Sequence, residues 1–154
     1  MANLGRVPLV AMISTLLLLG GDGRAWAARE ILAGPLSAEV IRIIDGDTVE
    51  LRVHVWLGAY VETLVRLEGV DAPELRGHCD NEIARAGQAR DLVVALLANG
   101  HATVRDIRRD KYGGRVLARV YSAGGEDLSE ALLRSRLAIP YHGERRTDWC
   151  GDQE

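Results

Sequence analysis

The stretch Glu39-Val40-Ile41-Arg42-Ile43-Ile44-Asp45-Gly46-Asp47-Thr48-Val49-Glu50-Leu51-Arg52-Val53-His54-Val55 decides the fold class. Glu39 to Ile44 is β-branched, Asp45-Gly46-Asp47 is a turn signal, and Thr48 to Val55 alternates apolar with polar residues, so a β-hairpin is expected. Thr63 to Gly69 predicts a third strand, and Val70-Asp71-Ala72-Pro73-Glu74 leaves it as a loop because proline turns its predecessor away from helix. Asn81 to Ala98 predicts a helix with Ala89, Leu92, Val93, Leu96 and Leu97 on one face, stopped by Asn99-Gly100 and weakened by Gly87 in its first turns. His101 to Arg108 and Val116 to Ser122 predict two more strands. Asp127 and Glu130 stand at capping-box spacing, so a second helix is expected to about Ala138, with Pro140 beyond it. Five strands with a helix between the third and fourth predict a mainly β, α+β fold: a five-stranded OB-type barrel with a second helix after strand five. No repeat or linker interrupts residues 39–154, which are expected to form one domain.

The 154-residue chain carries 19 Lys and Arg against 22 Asp and Glu, a formal charge of −3. Met1 to Ala27 has a cationic start with Arg6, an apolar run from Val7 to Leu19, and an Ala25-Trp26-Ala27 end, the layout of a secretory signal peptide. Its removal takes Arg6, Arg24 and Asp22, leaving 127 residues with 17 basic and 21 acidic side chains, and residues 28–38 as a leader. Export to the periplasm or the medium is expected, without stable membrane association after cleavage and as a monomer. An acidic chain excludes a partner held by a global basic field, so any polyanion must meet a local cluster. The excess carboxylates suit a hard cation. Cys79 and Cys150 are the two cysteines, and in an exported chain one structural disulfide is the expected reading. The alternative is a catalytic thiol beside His78, His101 or His142. Two cysteines without matched partners do not make a zinc site.

Four segments carry polar residues that a core does not require. In Asp45-Gly46-Asp47-Thr48 the turn accounts for Asp-Gly but not for the second acid, and an EF-hand is excluded by Val49 and the missing terminal Glu. In Arg66-Leu67-Glu68-Gly69-Val70-Asp71-Ala72-Pro73-Glu74, one arginine and two carboxylates meet where a strand ends; they read either as a solvated strand face and turn, or as a site. Carboxylates suit a divalent cation and a water-orienting base, and arginine offers a planar fork to phosphate. The third, Asp110-Lys111-Tyr112-Gly113-Gly114-Arg115, reads as a glycine turn. It nonetheless lies in Arg105 to Arg119, where six basic residues outweigh Asp106 and Asp110. That is the local cluster the charge balance demands. The fourth is Tyr141, either packing or a base-stacking ring.

Taken in order, these motifs resemble the thermonuclease family of staphylococcal-nuclease-like phosphodiesterases. The resemblance rests on Asp45-Gly46-Asp47-Thr48-Val49, Arg66-Leu67-x-Gly69-Val70-Asp71-Ala72-Pro73-Glu74, Asp110-Lys111-Tyr112-Gly113-x-Arg115-x-Leu117-Ala118 and Glu130-Ala131-Leu132-x-Arg134, and it covers about Glu39 to Tyr141. It implies an OB-fold nuclease that uses calcium to hydrolyse DNA and RNA, cutting at the 5'-oxygen to leave 3'-phosphate ends. Asp47 and Asp71 would be calcium carboxylates, the backbone carbonyl of Ala72 a further ligand, and Asp45 an outer-shell partner. Glu74 would orient or deprotonate water, Arg66 and Arg115 would bind the scissile phosphate, and Lys111, Tyr112 and Tyr141 would contact phosphate or base. The chain departs from the family pattern in three ways: Ala72 stands for a threonine, Gly114 adds a residue before Arg115, and the tail after Tyr141 is too short for a third helix. A Cys79–Cys150 bridge is expected to pin that tail. The alternatives are a non-catalytic OB-fold module for single-stranded nucleic acid, which the low aromatic content disfavours, and an envelope interaction scaffold, which leaves the acid–arginine set without purpose.

Overall fold

A computed structural model describes residues 30–144 and 146–151, so the expected signal segment, residues 1–27, lies outside the described residues. In chain order the elements are β1 (Ile31–Leu32), β2 (Leu36–Ile43), β3 (Thr48–Trp56), β4 (Ala59–Leu67), β5 (Val70–Asp71), α1 (Asp80–Leu96), β6 (His101–Arg109), β7 (Arg115–Ser122), α2 (Leu128–Arg134) and β8 (Ile139–Pro140). The strand order β6-β2-β3-β4-β7 closes on itself through a β6–β7 pairing, which makes a five-stranded barrel of OB topology. One of its seams is parallel: β4 runs beside β7 with Leu64 opposite Arg115 and Arg66 opposite Leu117. That register sets the arginine-bearing strands side by side.

The alternation in β3 turns Val49, Leu51 and Val53 inward, where they meet Val65, Leu67, Val104, Ala118 and Val120 from the other strands. The bottom of the barrel is stoppered by α1 through Ala89 and Val93 and by α2 through Leu128 and Leu132, all fully buried. The continuous helix tolerates Gly87, where an added Cβ would meet nothing.

Four local features differ from the sequence expectation. The first barrel strand begins at Leu36, and Ile31–Leu32 adds a short partner to β6. Strand β4 begins at Ala59, because its first residues pair with β3 on a hairpin that projects beyond the core and so need no apolar alternation. Trp56 and Leu57 at that tip are 78% and 91% exposed. Helix α2 ends at Arg134, short of Ala138. There Arg136 adopts φ 56° and the N–H groups of Arg136 and Leu137 donate to the carbonyls of Leu133 and Leu132, a Schellman closure made without glycine. Finally β5 and β8 pair with each other, and the Tyr141 N–H donates to the Gly69 carbonyl, so the segment after α2 is stitched to the loop below Arg66.

Candidate active site

The acidic turn is held by its own backbone and by close packing. Asp45 Oδ1 accepts the Asp47 N–H at 3.1 Å, the Asp47 carbonyl accepts the Leu67 N–H at 2.8 Å, and Asp47 faces inward at the end of β4. Gly46 is absent from the left-handed backbone positions, so its role differs from that of a primed hairpin turn. A Cβ there would meet the Ala89 Cβ at 2.6 Å and the Ala72 Cβ at 3.0 Å. The glycine lets the turn press onto α1 and onto the loop that carries Asp71.

Around this turn the acids and Arg66 converge. Arg66 Nη1 lies 2.9 Å from Asp47 Oδ2, while Nη2 lies 3.1 Å from Asp71 Oδ1 and donates to the Val70 carbonyl at 3.2 Å. Asp47 also accepts the Thr48 hydroxyl at 2.9 Å and the Ala72 N–H at 3.3 Å, which ties the two acidic loops together. Asp71 is fully buried, and its Oδ2 has no hydrogen-bond partner among the described residues. Burial pushes the Asp47 carboxyl up to about 7, against the pull of Arg66 and with Asp45 adding to the rise. Asp45 is raised as well, by burial first and by the field of Glu74. Asp45, Asp47 and Asp71 bring three carboxyl groups to the one guanidinium of Arg66 at this turn. The site's donors are all oxygen, and one of them is a buried carboxylate oxygen without a partner; this set fits a hard divalent cation.

Arg66 also opens onto a cleft of about 1110 Å³ lined by Glu74, Arg108, Arg109, Lys111, Tyr112, Arg115, Tyr141 and Arg146, among others, whereas Asp45, Asp47, Asp71 and Ala72 do not line it. Arg115 enters at the start of β7 after Gly114, whose φ of 83° suits a glycine, and its Nε bonds Asp110 Oδ2. Despite the extra glycine, Arg115 lines the same cleft as Arg66 and Glu74. Its guanidinium lies 4.9 Å from the Tyr112 ring centre, and Lys111 Nζ bonds the Tyr141 hydroxyl at 3.1 Å. The basic run Arg105 to Arg119 thus divides. Arg108, Arg109, Lys111 and Arg115 line the cleft, whereas Arg105 and Arg119 flank Tyr121 elsewhere. Arg108 and Arg119 are also paired, with Glu68 and Asp127, so the cluster is less positive than its composition.

Cys79 and Cys150 form a disulfide across a sequence separation of 71 residues. The bridge removes the thiol reading, and although Glu82 lies close to both sulfurs, bonded sulfurs are not thiolate ligands. Trp149 is 3% exposed and packs under Arg85, so it is no stacking surface.

Two site residues escape the sequence reading. Glu82, at the third position of α1, is 6% exposed and accepts the His78 N–H at 2.9 Å and the Glu74 N–H at 3.3 Å. It fastens the loop that carries Glu74. An acid in the first turn of a helix was the available signal. Arg146 is the second: Nε lies 3.1 Å from Asp71 Oδ1, Nη2 donates to the Ala72 carbonyl at 3.3 Å, and Nη1 bonds Glu74 Oε1. Burial opposes its charge, but the bond to Glu74 and the fields of Asp71, Glu74 and Asp47 leave its pKa raised. Its sole signal in the sequence was a basic residue four positions before Cys150.

A closed OB barrel with a carboxylate–arginine cluster beside a basic cleft defines the broad class. Residues 64–150 match the family described as staphylococcal nuclease homologue, and the chain belongs to that family. It is 29% identical over 111 residues to an Escherichia coli protein named as an uncharacterized endonuclease, covering 72% of this chain and 65% of the relative. It is 30% identical over 102 residues to a probable endonuclease, LCL3, of Leptosphaeria maculans, covering 64% of this chain and 34% of the relative. The chain thus spans about two thirds of the bacterial relative and about one third of the fungal one.

Proposed function

We propose that the chain is an exported, calcium-dependent nuclease that hydrolyses DNA and RNA, breaking the bond to the 5'-oxygen to leave 3'-phosphate ends. The observation that carries this reading is the meeting of Arg66, Glu74 and Arg115 in one cleft, with Arg66 also paired to buried Asp47 and Asp71. Both relatives are named endonucleases, which supports the same chemistry.

Asp47, Asp71 and the Ala72 carbonyl would hold the cation, with Asp45 behind Asp47. When bound, calcium would supply charge neutralisation and Lewis-acid polarisation of the phosphoryl oxygen. The Ala72 side chain is dispensable in this role, because the carbonyl is the donor and the Cβ packs against Gly46. Glu74, partly exposed at the cleft rim, orients or deprotonates the attacking water. Arg66 and Arg115 present guanidinium forks to the phosphate, where fixed donors stabilise the charge that grows as the water oxygen bonds to phosphorus. Lys111, Tyr112 and Tyr141 would contact phosphate or base. The chain would act as a monomer.

The disulfide supports an oxidising compartment such as the periplasm or the medium. Among the described residues no helix is long and apolar enough to cross a membrane. Digestion of plasmid and single-stranded DNA, and of RNA, tests the proposal. Cleavage with calcium, its loss with chelator and 3'-phosphate product ends are the expected results. Salt-sensitive binding without cleavage would contradict it and favour a binding module.

A further inference from the structure

The three oxygens that Arg146 touches are Asp71 Oδ1, the Ala72 carbonyl and Glu74 Oε1. Two belong to the proposed cation ligands and the third to the proposed base. Arg146 is fixed there by anchors on both sides. Before it, the Tyr141 N–H donates to the Gly69 carbonyl at 3.0 Å. After it, Trp149 is buried, its carbonyl accepts from Asn81 Nδ2 at 3.4 Å, and Cys150 is bonded to Cys79 at the start of α1. A strap closed at both ends holds its side chain at high local concentration over the acids.

We propose that Arg146 is a tethered counter-ion that competes with calcium for the acidic pocket, so that the cation binds only by displacing it and Arg146 sets the calcium level at which the site becomes active. The inference rests on the cation-dependent reading of the site and adds its regulation. With Arg146 seated, Glu74 Oε1 is engaged by a guanidinium. Displacement frees Glu74 and both ligand oxygens in one motion.

The test is calorimetric titration of calcium into wild type and Arg146→Gln without substrate. Charge-assisted hydrogen bonds of this kind correspond to at least about a tenfold change in affinity, so calcium should bind the variant about tenfold tighter or more. Melting curves in chelator serve as the fold control, and Arg146→Lys, which keeps the charge but not the fork, should fall between the two. Equal or weaker binding by Arg146→Gln would overturn the competition while leaving the calcium reading intact. Absence of binding to wild type and variant alike would overturn the calcium reading and the competition with it. Wild-type cleavage that persists in chelator and disappears in Arg146→Gln would make Arg146 a replacement for the cation, which also overturns the proposal.

Discussion

Gly46 shows how little slack the acidic turn has, with the Ala89 and Ala72 methyl groups pressed against the place a side chain would take. Gly46→Ala should therefore destabilise the protein by about 1–3 kcal/mol, as overpacking in a tight contact does. Urea unfolding should show a lower midpoint, and an unchanged midpoint would mean that the turn has room to move. Asp-Gly was legible as a turn, but the reason for its glycine was not. That reason is a contact with α1, more than 40 positions away in sequence, and no local pattern contains it. Arg66, Asp47 and Asp71 were legible as candidates because polar residues clustered at a strand end serve no core. Their burial, and the unpartnered Asp71 Oδ2, became visible with the closed barrel. Arg146 was illegible for the same reason: its partners lie some 72 to 75 positions upstream.

At the scale of elements, α1 does more than stopper the barrel. Its N-cap residue Cys79 makes no side-chain capping bond, being committed to the disulfide, and Glu82 instead reaches back to the N–H groups of His78 and Glu74. Glu82→Ala would leave those partly buried N–H groups without their acceptor, with a stability loss of about 2 kcal/mol and a loosened Glu74 loop. The variant should melt lower and lose kcat more than it raises KM; full activity at reduced stability would show that the loop keeps Glu74 in place unaided. The alternation of β3 and the spacing of Ala89 and Val93 on α1 were readable because burial imposes periods of two and about 3.6 on the sequence. Ala59–Glu62 and the end of α2 were not readable, since the first pairs outside the core and the second stops on an arginine rather than a glycine.

Over the whole molecule, the Cys79–Cys150 bridge ties the described tail residues 146–151 to α1. In the chain-entropy model, closing a loop of this length contributes about 4 kcal/mol. Reduction, or a Cys79→Ser/Cys150→Ser pair, should lower the thermal midpoint by roughly 10–20 °C, and an unchanged midpoint would mean that Trp149 alone secures the tail. The chain's acidic balance, which excludes a global polyanion binder, agrees with a cleft whose positive groups are few and placed. In the hydrolysis proposed for this cleft, Glu74 stands at the water. Single-turnover cleavage of a labelled DNA strand by wild type and Glu74→Gln, at saturating calcium, tests it most directly. The rate for Glu74→Gln should be lower by about 10²–10⁴-fold with substrate affinity retained; equal rates for the two proteins would rule out this role for Glu74.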